Sequence, residues 1–416
     1  MLKGKTTYTK LVIMITMLFP MATILERIFP WANKLLLILL IGGILLRFTE
    51  NRKMRKSLFL LESWFIFTYV VSCSLSSLTA IRKNANMAIY YPFLFLYFDF
   101  CNENWQEITA SLRKMTKEIY IIVLAYTAFL TATIFLPQAY MRIDAGGWGD
   151  TKYFASFSSS PNRVGPASMF AIVLLIYLAA KRYKRKILIL LLIPQLYVAL
   201  MGGSRTYLVL ILGETVIFYY VWLKNKKMFI LSAIPIVIIL GWLLFNSSTM
   251  QKIIISASEF GSGNSKEAWR RLSNSRNIIW AERIDAYKQF SLVRKVFGGG
   301  INYTTDRFGL WSHSDFVEIL CSFGLVGIIN YAVIMWKTIC TLLSKNMPIW
   351  MRIAVIFIWL FNAGMNFFYC YFNAVLCYPV LLVALSDTNW NIYRRKRLPR
   401  KKSVGEKHCG LPLKGA

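Results

Sequence analysis

One histidine and two acidic residues stand close together where a long polar segment gives way to an apolar run. His313 is followed by Asp315 and Glu318, which are three residues apart and so share one face of a helix that begins there. Free imidazole titrates near neutral pH, and His313 therefore suits the role of a general base that Asp315 or Glu318 orients. The alternative is a polar helix cap in which Glu318 forms a buried structural ion pair.

A lone arginine follows a glycine pair between two apolar runs. In the stretch Gly202-Gly-Ser-Arg205-Thr206, the glycines allow a tight turn and a close approach of the backbone to a ligand. Ser204 can cap the next helix, which would place Arg205 at a helix N-terminus, where the dipole and backbone N–H groups favour an anion. The alternative is an arginine that snorkels to the membrane surface and only fixes the hairpin.

The segment 266–295 predicts a helix outside the membrane. Arg276, Trp280, Arg283 and Tyr287 fall at i, i+4, i+7 and i+11, on one face. Such a stripe offers guanidinium forks for phosphate and flat rings for stacking on sugars. The alternative is an interfacial amphipathic helix. Another face is apolar and can pack on the membrane domain through Ile279, Ala286, Phe290 and Val293.

Basic residues crowd the polar segment that contains this helix. Residues 247–312 carry ten Lys and Arg, Arg271 among them, but only five Asp and Glu, a net charge of +5. That excess suggests an anionic partner. Arg163 follows the turn Pro161-Asn162 in an earlier polar loop, 138–163, and is either a further ligand or a snorkelling anchor.

The composition indicates what must position these residues. The 416 residues are 56% apolar, mean hydropathy is +0.49, and 49 Lys and Arg against 19 Asp and Glu give a net charge of +30. Such a chain is neither disordered nor a collagen-like fibre, and it is not a soluble nucleic-acid-binding domain.

Apolar runs long enough to span a membrane predict an all-α, polytopic protein with about twelve transmembrane helices. Several of these runs are short, so the alternative is a count of ten or eleven transmembrane helices. The first run has no cleavage site and is not expected to be a removed signal peptide. The runs are 11–29, 31–46, 58–78, 86–101, 119–137, 164–180, 187–203, 206–222, 228–246, 314–336, 350–366 and 368–386.

The positive-inside rule orients these spans. With both termini in the cytoplasm, the cytoplasmic segments hold 31 of the 49 basic residues. The chain then divides into transmembrane helices 1–9 with the outer loop 138–163 (residues 1–246), a large, basic, partly helical extracytoplasmic loop (247–312), transmembrane helices 10–12 (313–386) and a basic cytoplasmic tail (387–416).

Cofactor signals are absent from the sequence. None of the seven cysteines falls in the large outer loop, so a disulfide framework is not expected. There is no CxxC or His/Cys metal spacing, and neither a GxGxxG motif nor a P-loop is present. We therefore expect no metal, no nucleotide and no nucleic-acid partner.

Four motifs in order carry a resemblance to a known family. They are Ser160-Pro-Asn-Arg-Val-Gly165, Gly202-Gly-Ser-Arg205, a helix from Arg276 and Trp280 to Phe297-Gly-Gly-Gly-Ile301, and Ser312-His-Ser-Asp-Phe-Val-Glu318. Over residues 158–336 the chain resembles the O-antigen polymerase and O-antigen ligase superfamily. It looks most like the capsule and exopolysaccharide polymerases of Gram-positive bacteria.

The resemblance implies a membrane glycosyltransferase with a GT-C-like helical fold. Its donor would be an undecaprenyl-diphosphate-linked oligosaccharide on the outer face of the bacterial cytoplasmic membrane, with a flippase and a chain-length regulator as possible partners. Arg205, Arg276 and His313 are the positions expected to act: the arginines bind pyrophosphate and His313 deprotonates the acceptor. Arg163, Arg271, Trp280, Arg283 and Tyr287 are the expected substrate-binding residues.

Two other functions are compatible with these sequence features. A ligase would move finished polymer to a lipid or protein. A flippase or other transporter also has about twelve spans, but transporters typically place charges near the bilayer midplane and show repeated halves. Here no half-repeat is visible, and the charge concentrates in one outer loop.

Overall fold

A computed structural model shows that 81% of the residues it describes are helical. The structure describes residues 2–50, 63–77, 85–142, 152–223, 275–343, 347–365 and 376–388, with isolated positions between 241 and 273 and at 373. The predicted span 228–246 and the tail 387–416 lie almost entirely outside the described residues.

Among the described residues, nine helices precede the large polar segment. They are α1 (Leu2–Ile24), α2 (Ala32–Glu50), α3 (Ser63–Ser74), α4 (Ala85–Glu103), α5 (Trp105–Lys114), α6 (Thr116–Ile134), α7 (Pro161–Ala180), α8 (Arg185–Met201) and α9 (Arg205–Trp222).

Six further helices follow among the described residues of the C-terminal half. They are α10 (Arg276–Lys288), α11 (Leu292–Phe297), α12 (Tyr303–Phe308), α13 (Asp315–Leu343), α14 (Ile349–Met365) and α15 (Tyr378–Asp387).

Apolar helices identify an all-α membrane protein. Four are long and apolar enough to cross a bilayer: Ala32–Thr49, Thr116–Ile134, Pro161–Ala180 and Asp315–Cys340. Several helices also expose large apolar side chains; Ile38, Leu190 and Ile353 are each at least 60% exposed. Water would disfavour such surfaces, whereas lipid accommodates them. The prediction of a helical membrane protein is confirmed at this level.

Helix α7 lies at the centre of the bundle. Every residue from Val164 to Ala179 is buried, and the helix packs against α1, α6, α8, α9 and α15. Pro161 occupies its first turn, and the Ser160 hydroxyl accepts a hydrogen bond from the Asn162 N–H at 3.3 Å. A proline lacking an N–H and a serine cap are favourable at this position, which explains where the helix begins.

A short antiparallel ribbon interrupts the helical pattern. β1 (Tyr140–Arg142) pairs with β2 (Lys152–Phe154), with Tyr140 opposite Phe154 and their ring centroids 5.4 Å apart. Only a loop was expected at 138–163. Strands of three residues are too short to give an alternating pattern in the sequence, and a cross-strand aromatic pair stabilises this one.

Helix α13 breaks at Gly324, where φ is 67° and ψ is −161°. A break removes the helical hydrogen bonds of nearby carbonyl groups. The carbonyls of Cys321 and Ser322 instead accept from the N–H groups of Gly299, at 2.8 Å, and Gly300, at 3.0 Å. The Gly298–Gly300 segment thus supplies the donors that an apolar environment requires for an interrupted helix.

The predicted helix 266–295 is two helices in the described residues. Ser275 adopts a left-handed conformation, α10 begins at Arg276, and a turn after Lys288 separates it from α11. Ile279, Ala286 and Phe290 are buried as expected, but Val293 is 57% exposed because it belongs to the second helix.

Candidate functional site

Several helix ends meet at one end of the bundle, which we call the site end. Arg163 at the start of α7 pairs with Glu26, just beyond α1. Gly165 of α7 lies so close to the Tyr207 ring of α9 that an added Cβ would come within 2.4 Å of it. These contacts gather the end of α1 and the starts of α7 and α9.

Arg205 and Arg276 each occupy the first position of a helix at the site end. Ser204 caps α9 as predicted, accepting from the Tyr207 N–H at 3.5 Å. Arg276 opens α10, and its Nη1 donates to Thr206 Oγ1 at 3.3 Å and lies 3.8 Å from Met365 Sδ at the end of α14. The two guanidinium groups therefore lie near each other, at the starts of α9 and α10.

The proximity of the two arginines is electrostatically unfavourable in the absence of an anion. Arg205 precedes the predicted span 206–222, and burial together with the charge of Arg276 lowers the pKa of Arg205 to about 10. Like charges in a partly buried setting destabilise each other, and a bound anion removes that penalty.

His313 belongs to the same cluster. It lies in the loop before α13 with φ at 54°, and burial, then the charges of Arg276 and Arg283, lower its pKa to about 4. At physiological pH its imidazole is neutral. A neutral imidazole can accept a proton, which is the property that a general base requires.

The loop before His313 is held by two residues of the predicted stripe. Trp280 Nε1 donates to the Ser312 carbonyl at 2.7 Å, and Arg283 Nη2 donates to the Leu310 carbonyl at 3.0 Å. Arg283 is only 2% exposed and lies 4.1 Å above the Phe308 ring. Both side chains act on the backbone, so in this structure they position His313.

Glu318 holds the same loop from the opposite side. Its carboxylate is buried and accepts from Thr304 Oγ1 at 2.5 Å, from the Ser312 N–H at 3.1 Å and from Ser312 Oγ at 2.8 Å. These bonds tie α12, the His313 loop and α13 together.

The other predicted site residues that the structure describes bind partners outside this cluster. Asp315 is fully buried and accepts from the Tyr331 hydroxyl at 2.8 Å. The Tyr287 hydroxyl donates to the Lys295 carbonyl at 2.9 Å. Arg163 pairs with Glu26 and does not join the cluster. Arg271 lies outside the described residues.

Two residues that the sequence did not single out, Tyr153 and Thr249, complete the Gly-Gly-Ser-Arg turn. Gly203 has φ at 69°, and an added Cβ would stand 2.3 Å from the Tyr153 ring. Thr249 Oγ1 accepts from the Gly203 N–H at 3.1 Å and donates to the Leu200 carbonyl at 2.8 Å. Contacts between such distant positions leave no trace in a single sequence.

The cluster of Arg205, Arg276 and His313 has the chemistry of an anion site beside a base. Among the residues that the structure describes, no group of three or more His, Cys, Asp or Glu is placed to hold a metal ion. The cationic groups present suit phosphate oxygens, to which guanidinium groups bind through paired hydrogen bonds. Searches against protein-family models and curated proteins find no match to the chain.

Proposed function

We propose that this protein is a membrane glycosyltransferase that joins polyprenyl-diphosphate-linked oligosaccharide repeat units into a polysaccharide. The observation that carries the proposal is the convergence of Arg205, Arg276 and His313, which are far apart in the chain. Two guanidinium groups and a neutral imidazole are what a diphosphate leaving group and a hydroxyl nucleophile require.

The transfer step follows from these roles. The acceptor hydroxyl attacks the anomeric carbon of the donor sugar and gives its proton to His313. The bond from that carbon to the diphosphate oxygen breaks, and the oxygen keeps the electron pair. Arg205 and Arg276 stabilise the charge that develops there. Trp280 and Arg283 support the base by fixing the loop that carries His313.

We also propose how the protein is arranged in the membrane and where it is located. About twelve spans in a GT-C-like arrangement would place the site end at the outer face of the bacterial cytoplasmic membrane. Both termini would lie in the cytoplasm. A flippase would deliver the lipid-linked units, and a chain-length regulator would be a natural partner. The reaction would need neither a nucleotide sugar nor a metal ion.

The test is polymerisation of purified lipid-linked repeat units by the protein in proteoliposomes. We expect the parent protein to yield a ladder of products on a gel. Arg276→Ala should lower the rate roughly 100- to 1,000-fold, the usual effect of removing one electrostatic donor to a transition state. His313→Ala should also be severely impaired. The exposed Arg294→Ala in α11 is the matched control and should be fully active.

Each competing function gives a different result in this assay. Transfer of preformed polymer without a ladder would identify a ligase. Movement of lipid-linked units across the bilayer without any new glycosidic bond would identify a transporter. A His313→Ala protein that polymerises at the parent rate would refute the assignment of the base.

A further inference from the structure

Basic residues also gather at the end of the bundle opposite the site end. The end of α5, the start of α6 and the turn from α7 to α8 meet there. The Tyr177 hydroxyl of α7 donates to the Leu112 carbonyl of α5 at 2.6 Å. The rings of Tyr120 in α6 and Tyr183 in the turn are 5.5 Å apart. We call this region the basic corner; its exposed cations are Arg113, Lys114, Lys117, Arg182, Lys184 and Lys186.

The acidic residues of these helices do not neutralise the corner. Glu107 and Glu118 are the only Asp or Glu in α5, α6, α7, α8 and the α7–α8 turn, all of which the structure describes. Glu107 binds Arg47 at 2.5 Å. Glu118 pairs with Lys10 at 4.0 Å. The basic corner therefore carries a concentrated positive charge.

The start of α8 adds to this charge. The helix has no side-chain cap and no acidic residue in its first turn, where Arg185 and Lys186 stand instead. Cations at a helix N-terminus interact unfavourably with the helix dipole. Arg182 and Lys184, in the turn before α8, have backbone φ angles of 57° and 46°. Residues other than glycine rarely adopt this left-handed conformation. An anion among these cations would offset their repulsion of one another and their unfavourable interaction with the helix dipole.

The surroundings of the corner identify the anion as the head of a lipid. Arg185 lies 4.8 Å above the Trp222 ring, and the Tyr120 and Tyr183 rings of the same corner pack against each other. Basic and aromatic residues thus occur together, as they do at a membrane surface. Immediately below on α8, Leu190 is 63% and Ile193 57% exposed. This apolar surface is placed to receive acyl chains, which free phosphate does not have.

We infer that the basic corner binds the phosphate headgroup of an anionic phospholipid, whose acyl chains lie along α8. The site is independent of the proposed transfer reaction and lies at the other end of the molecule. A lipid held there would bridge α5, α6, α7 and α8 and would stabilise the packing of the central helix.

The test uses the full-length protein in neutral detergent with added phosphatidylglycerol, phosphatidylcholine or inorganic phosphate. Native mass spectrometry counts the lipid molecules that the protein retains, and thermal unfolding gives the midpoint temperature. Of the three additives, only phosphatidylglycerol should be retained and should raise the midpoint temperature. The triple variant Arg182→Gln, Lys184→Gln, Lys186→Gln should lose roughly 100-fold in affinity, because each cation near an anionic surface contributes about five-fold.

The matched control removes three cations elsewhere: Arg142→Gln, Lys152→Gln and Arg294→Gln. It should retain phosphatidylglycerol like the parent. Equal losses in both triple variants would overturn the inference in favour of diffuse attraction, and an equal stabilisation by inorganic phosphate would overturn it in favour of a simple ion site. If the triple variant fails to fold, Lys184→Gly replaces it. That change relieves the left-handed backbone, so the variant should fold while its phosphatidylglycerol affinity falls about five-fold.

Discussion

At the scale of single residues, the cluster is charged in advance of any ligand. Burial and neighbouring cations lower the pKa values of both Arg205 and His313. Both shifts oppose positive charge, and both share Arg276 as a cause. A diphosphate bound to the arginines would oppose that field, so the basicity of His313 would rise when the donor arrives. The base would then be strongest when a hydroxyl has to be deprotonated.

His313 should make the stability of the empty protein depend on pH. Its pKa is about 4 in the folded protein against 6.5 in an unfolded chain. The unfolded state therefore binds more protons between these values, and stability falls as pH drops from 6.5 towards 4. We expect a loss of about 3 kcal/mol relative to His313→Gln across this window. Thermal unfolding of both proteins from pH 7 to pH 4 measures it.

Comparison of the parent with His313→Gln removes the contribution of the other titrating groups. Above about pH 7.5 the difference in unfolding free energy should stay constant, because the imidazole is then neutral in both states. A difference that does not change from pH 7 to pH 4 would show that His313 titrates normally in the folded protein.

At the scale of elements, the break in α13 and the glycine run are one unit. Gly298 has φ at 87°, and an added Cβ would lie 2.2 Å from the Ser322 carbonyl oxygen. Gly324 in α13 lies on the other side of the same contact, and its Cβ position is 2.4 Å from the Val296 carbonyl oxygen. Neither neighbour is a flexible side chain, so a methyl group at either position must displace backbone.

Gly298→Ala should therefore destabilise the protein more than an equally left-handed glycine in open space. Gly309 has φ at 70° and nothing within 4 Å of its Cβ position, which makes Gly309→Ala the matched control. The control should cost about 1–2 kcal/mol for the backbone conformation alone. Gly298→Ala should cost at least about 2 kcal/mol more, because the Cys321 and Ser322 carbonyls lose donors. Unfolding of both variants in detergent gives the comparison; equal losses would contradict a role for the close contact.

The start of α9 was predictable from the sequence, whereas other helix starts and the contacts between helices were not. Ser204 caps α9 as predicted, but Pro161 and Asn162 open α7 and do not form the expected turn, and α10 begins at Arg276, well inside the predicted helix 266–295. The stripe on α10 was also apparent from its spacing, but Trp280 and Arg283 bind carbonyls of the His313 loop, an outcome that depends on a loop about 30 residues away. The break at Gly324 needed both a glycine and donors from another segment, and a single sequence does not reveal such a pairing.

At the scale of the whole molecule, the two ends of the bundle differ in how they use charge. At the site end, arginines lie partly buried beside a neutral histidine. At the basic corner, cations are exposed and set beside aromatic rings. The positive-inside rule predicts that the second arrangement lies on the cytoplasmic side, because short exposed basic loops resist translocation. The first arrangement would then face outward, where the proposed lipid-linked donor is presented.

This orientation predicts which positions a membrane-impermeant thiol reagent reaches. Ser291, exposed between α10 and α11, and Lys184, exposed in the basic corner, lie at opposite ends. In a cysteine-free background, Ser291→Cys should be labelled in intact protoplasts, whereas Lys184→Cys should be labelled only after lysis. Both should react equally in lysed cells, which controls for accessibility. The reverse pattern would place the cluster of Arg205, Arg276 and His313 in the cytoplasm. Because a flipped donor is never presented there, that result would exclude polymerisation on the outer face even if the cluster binds diphosphate.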